Sequence, residues 1–84
     1  MEFVKCYELE PKNGRKSFYG KAKVFIDKDN NEYLYSYNTL IMCCKNGVFH
    51  RFWNDWTCTT GNHIKSFCGM NKQEFLKLEF EEVK

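Results

Sequence analysis

No stretch of this 84-residue chain comes near the ~18–20 consecutive apolar residues that a membrane-spanning helix needs. The opening Met1-Glu2-Phe3-Val4-Lys5 lacks a basic stretch leading into an apolar one, the pattern that directs export. An even cysteine count is also missing. Cys6, Cys43, Cys44, Cys58 and Cys68 make five, and an odd number without an export signal predicts reduced thiols in a cytosol rather than a disulfide framework. The sequence has no glycine-rich phosphate loop, no internal repeat and no low-complexity linker. Together these gaps argue against a membrane protein, a disulfide-stapled secreted domain and a nucleotide-hydrolysing loop enzyme.

What the chain does have is packing material. It is 43% hydrophobic, 18% aromatic and 29% charged, too apolar for disorder and too polar for a bilayer. The length allows one domain, residues 1–84, with one core. Chains of this size bury only about 60% of their unfolded surface, so dense aromatic packing must supply stability.

The net charge of +2 is uneven. Between Pro11 and Lys28 stand Lys12, Arg15, Lys16, Lys21, Lys23 and Lys28 against Asp27 alone, whereas Glu74, Glu79, Glu81 and Glu82 dominate the tail. Two solvated faces explain such a split, and so does a basic patch for a polyanion.

Periodicity predicts an α+β domain: an antiparallel sheet of about four strands, then one or two short helices packed on one face. Phe3–Leu9 alternates as a first strand, closed by turn chemistry at Pro11-Lys12-Asn13-Gly14. Lys21–Asp27 alternates clearly, and Asp27-Lys28-Asp29-Asn30-Asn31 is a polar hairpin loop. Tyr33–Cys44 reads as one long strand that bends or bulges near Asn38-Thr39. Lys45-Asn46-Gly47 is a second hairpin turn, because Asn-Gly tolerates the positive φ that tight turns need. Val48–Trp53 returns as a strand. Ile64, Phe67 and Cys68 then recur at helical spacing, with Thr59 or Thr60 as N-cap and Gly69 as terminator. Asn71-Lys72-Gln73-Glu74 has the form of a capping box for a second helix that turns Phe75 and Leu78 inward. Leu76–Glu81 also alternates, so a final strand remains open.

Several constellations bear on chemistry. Cys43, Cys44, His50, Cys58, His63 and Cys68 are zinc-ligand types, but no cysteine pair has knuckle spacing, so neither metal nor cofactor is expected. Cys58 near His63 supplies two parts of a thiol catalyst without the third group that would hold the base, so a non-enzyme is expected. The segment His50-Arg51-Phe52-Trp53-Asn54-Asp55-Trp56 holds the side-chain types most enriched at binding hot spots. Trp53 is assigned to the core and Trp56 to an exposed turn on the rim where strand passes to helix, beside Arg51 if that side chain points outward. Tyr33, Tyr35 and Tyr37 line one strand face, expected to pack under the helices with hydroxyls at the rim.

Tyr35-Ser36-Tyr37-Asn38-Thr39, followed some twenty residues on by Thr59-Thr60-Gly61-Asn62-His63-Ile64 and Phe67, resembles a family of small domains of unknown function. That family is common in phages and mobile elements of low-GC Gram-positive bacteria. The resemblance spans roughly residues 20 to 80 and implies a genomic setting rather than a reaction. The residue before the histidine, often arginine in that family, is Asn62 here. The motif residues Asn38, Thr39, Thr59, Thr60 and His63 also read as fold determinants: Asn38 and Thr39 turn the strand, the threonines cap the helix, and His63 bonds Asn38 or a carbonyl. The resulting expectation is a phage- or mobile-element-encoded binding protein in the bacterial cytoplasm, acting stoichiometrically on host machinery. In its sharpest form it is an anti-CRISPR or other anti-defence inhibitor of a host protein or ribonucleoprotein, with contacts at His50, Arg51, Trp56 and Tyr35. The alternative is a small nucleic-acid-binding accessory protein using Lys12, Arg15, Lys16, Lys21 and Lys23.

Overall fold

The computed structural model describes residues 3–9 and 21–80. The turn expected at Pro11–Gly14 and the cations Lys12, Arg15 and Lys16 lie outside them. The fold is α+β. Five strands form one antiparallel meander in chain order: β1 (Phe3–Glu8), β2 (Ala22–Asp27), β3 (Glu32–Ser36), β4 (Thr39–Lys45) and β5 (Val48–Arg51). Two helices follow, α1 (Cys58–Cys68) and α2 (Lys72–Leu76).

The fifth strand arises where a single long one was expected. Tyr33–Cys44 is a hairpin: Ser36 pairs with Thr39, leaving Tyr37-Asn38 as a two-residue turn. A bulge does occur in this stretch, further along. Leu34 pairs with Met42 but Tyr35 pairs with Leu40, so Ile41 is an extra residue in β4. A bulge re-aims side chains. Leu40 to Met42 are therefore all buried, with Leu40 on one face of the sheet and Ile41 and Met42 both on the other.

Each sheet face carries its own cluster. Ala22, Val24, Leu34, Ile41 and Met42 meet Ile64 of α1 and Phe75 of α2, with Trp53, Trp56 and Phe67 packed at the margin. Phe75 is fully buried, worth about 1.5–3 kcal/mol in apolar transfer. The opposite face holds Tyr33, Leu40 and Cys43 with Phe3, Phe25, Tyr35 and Phe52. There the rings of Phe3 and Phe25, and of Phe25 and Tyr35, lie 5.0 Å apart. The tyrosine ladder is thus divided. Tyr33 and Tyr35 pack away from the helices, and Tyr37 leaves the strand for the turn.

Local chemistry fixes most element ends. Asn46 (φ 53) and Gly47 (φ 80) make the expected tight turn between β4 and β5. Asp27 closes the β2–β3 loop by accepting from the N–H groups of Asp29 and Asn31, the Asn31 amide and the Tyr33 hydroxyl. Burial opposes the Asp27 charge, but those hydrogen bonds, Asn31 foremost, outweigh it and hold the carboxyl below its ordinary value. Burial, aided by the neighbouring Asp27 charge, pushes the Tyr33 hydroxyl up to about 12. Asn71 and Glu74 form the capping box of α2, and Gly69 (φ 78) ends α1. The N-cap of α1 is Thr57, whose hydroxyl accepts from the Thr60 N–H at 3.2 Å, and not Thr59 or Thr60. After α2 the described residues make a single parallel bridge, Phe80 to Arg51; the end of the alternating Leu76–Glu81 stretch lies outside them.

Candidate functional site

Antiparallel order puts the Asp27–Asn31 and Asn46-Gly47 turns at one end of the sheet and the Tyr37-Asn38 turn at the other. At that second end, the last residue of β3 faces α1. Ser36 Oγ lies 3.0 Å from Thr60 Oγ1 and 2.9 Å from His63 Nδ1. All three side chains are buried, at 2%, 6% and 1% exposure. The sheet is thereby bolted to the helix through hydroxyls and one imidazole. Burial lowers the His63 pKa, so the ring is neutral at pH 7. His63 bonds Ser36, and Asn38, one of the two partners expected for it beside a backbone carbonyl, is exposed in the turn.

Tyr37 sits above this bolt at φ 58, a left-handed conformation that is an outlier for a bulky aromatic residue. Its backbone N–H donates to the Lys21 carbonyl at 2.6 Å, extending the β2–β3 register by one position. Its ring remains 52% exposed. The Lys21 ammonium stands 5.6 Å from the ring centroid, and the His63 ring 6.3 Å away. Beneath the turn opens a cleft of about 270 Å³. Ser36, Tyr37 and Thr39 line it from the hairpin, Thr57 and Thr60 from the start of α1, and Ile41 and Trp53 from the core side. Four of the seven lining residues carry aliphatic hydroxyls, two are aromatic and one is aliphatic, and none is charged.

The other expected contacts do not converge. His50 pairs with Cys43, which puts it on the face of the aromatic cluster holding Tyr35, whereas Arg51 and Trp56 belong to the helix side. Arg51 points inward rather than outward. Its Nε donates to the Leu78 carbonyl at 2.9 Å and its Nη2 to the Leu76 carbonyl at 3.3 Å. Nη1 reaches the Trp53 carbonyl and Asn54 Oδ1, and the guanidinium lies 5.2 Å from the Phe80 ring centroid. Arg51 therefore clamps the segment after α2 to β5. Trp56 is also no exposed turn residue. Its ring packs 5.9 Å from that of Phe75 and against Gly61, where an added Cβ would come within 2.5 Å of the indole.

Among the described residues no three His, Cys, Asp or Glu side chains gather as a metal-holding group. Cys58 is exposed at the start of α1 and His63 is buried. Five positions separate them, about 140° around a helix, so they do not face a common site. No described helix is long and apolar enough to cross a membrane.

A family model described as a family of unknown function, DUF8033, matches residues 7–82. The chain belongs to the DUF8033 family. No curated protein and no solved structure matches it significantly. This DUF8033 chain brings Thr39, Thr60 and His63 together with Ser36 and Tyr37, while Thr59 is exposed on α1. Ser36, Thr57 and Trp53 escape singling out as site residues by sequence. The one available signal is Ser36 itself, a polar residue at an inward position of β3 where the alternation calls for an apolar one.

Proposed function

We propose that this DUF8033 protein is a binding module of phage or mobile-element origin that acts by contact in the bacterial cytoplasm, with the Tyr37 cleft as its contact point. One observation carries the reading. A tyrosine occupies a positive-φ turn position at 52% exposure, where glycine or asparagine would remove a strain of about 1–3 kcal/mol. Its ring belongs to neither of the two buried clusters, and it approaches the His63 ring at 6.3 Å. Strain of this kind concentrates at functional sites. The size of the cleft, its neutral lining and the buried position of the Ser36 hydroxyl favour holding a group over transforming one.

In its sharpest form the module is an anti-defence inhibitor of a host ribonucleoprotein such as a CRISPR effector. The test is phage plaquing on a host carrying an active CRISPR system, with the wild-type chain or Tyr37→Gly expressed. Wild type should raise plaquing efficiency, and Tyr37→Gly should lose that effect while melting no lower than wild type. No rescue by wild type would sink the anti-defence form. Full rescue by Tyr37→Gly would remove the cleft as contact point.

A further inference from the structure

We infer that the Tyr37 cleft takes an unpaired nucleotide, with the base entering against Tyr37 and Trp53 and its phosphate held by Lys21. The inference rests on reading the cleft as the contact point and names what enters it. Volume is the first constraint. At about 270 Å³ the cleft falls just below the ~300–1,000 Å³ of ordinary small-molecule pockets. One ring system fits, and a duplex does not.

Chemistry is the second constraint. The wall is uncharged, with hydroxyls from Thr39 and Thr57 beside aromatic rings. A planar neutral group with hydrogen-bonding edges matches such a wall, whereas a buried ammonium would lack a counter-charge there. Ser36 and Thr60 already bond each other, and Ser36 also bonds His63. The Thr57 oxygen accepts from a backbone N–H, which leaves its proton to donate. Thr57 and Thr39 are therefore the hydroxyls that meet a base edge.

The third constraint is the cation. Lys21 is placed over the exposed tyrosine by β-sheet register, since its carbonyl accepts from the Tyr37 N–H and its ammonium stands over the Tyr37 ring. An aromatic platform beside a backbone-tracking cation is how proteins hold single strands: stacking supplies sequence-tolerant affinity and lysine neutralises phosphate.

The test uses the full chain with a fluorescein-labelled uridine hexamer, the matching RNA duplex and uridine monophosphate, followed by anisotropy and tryptophan quenching at ~50 mM salt. The hexamer should bind and the duplex should not. Tyr37→Gly should weaken the hexamer about 5- to 150-fold, the loss expected for one stacked base. Lys21→Ala should reduce the log–log salt slope by about 0.7, one single-strand phosphate contact. Comparing the monophosphate with the hexamer distinguishes a free nucleotide from a strand end, and binding of either supports the site. Undetectable binding of both, equal binding of the duplex, or unchanged affinity in Tyr37→Gly would overturn it. If nucleotides fail to bind while Tyr37→Gly still loses rescue in the plaquing assay, the contact point stands and its occupant is a protein surface.

Discussion

The two ends of the sheet solve the same problem with opposite economies. At one end, the chain reverses through Asp27–Asn31 and Asn46-Gly47. Positive φ falls there on asparagine and glycine, and Asp27 satisfies the loop donors. Each residue is the one its local geometry asks for. At the other end, a two-residue turn of similar size puts positive φ on tyrosine, and three polar side chains are buried beneath it. Natural sequences tend to agree with their fold at every level, and the places where they disagree are expected at functional sites. The first end is explained by folding. The second departs from those local preferences.

The largest change should come from the support under the second end. Trp56→Ala removes the ring between Gly61 and Phe75 and should destabilise by about 3 kcal/mol, measured by urea unfolding. An unchanged midpoint would mean that the α1 end stands without it. Ser36→Ala should come next, at about 1–3 kcal/mol, because Thr60 and His63 then lose a partner inside the protein. A loss no greater than that of an exposed serine would make the bolt incidental.

Acid should separate the two ends. The folded His63 pKa lies below its ordinary 6.5, so between the two values the unfolded chain binds more protons and stability falls as pH drops below 6.5. The folded Asp27 pKa lies below 3.8, so its contribution persists above that value and is lost as pH falls further, through the folded pKa. Thermal midpoints across pH 7 to 3 should show the His63 loss first, and that loss should vanish in His63→Gln. Tyr37→Gly is the smallest and sharpest case. Relief of strain against the added backbone freedom of glycine predicts unchanged stability or a gain of up to about 1 kcal/mol. A marked loss would show that the tyrosine serves the fold after all.

The sequence discloses the first end and hides the second for the same physical reason. Asn46-Gly47, the Asn71–Glu74 box and the Gly69 stop are contacts within a few residues, so residue type alone reveals them. The Ser36–His63 bond spans 27 positions and forms only when β3 meets α1. The Tyr37 turn is invisible to turn preferences because tyrosine is not a turn former. Read without that turn, Tyr33–Cys44 becomes one strand and the sheet has four strands instead of five. Arg51 and Trp56 mislead in the reverse sense. Hot-spot residue types and a polar Asn54-Asp55 pair imply a surface, but Leu76, Leu78 and Phe75 arrive later in the chain and cover them.

The meander order has a kinetic consequence. Every strand hydrogen-bonds to its neighbour in sequence, and two of the four connections are two-residue turns. A sheet built from such local pairings closes small loops at three of its four connections and should fold faster than sheets of distant strands, towards milliseconds. Stopped-flow refolding from urea should show one fast phase carrying most of the amplitude. A newly made chain would then be competent almost as soon as it leaves the ribosome, so its supply would be set by synthesis rather than by folding.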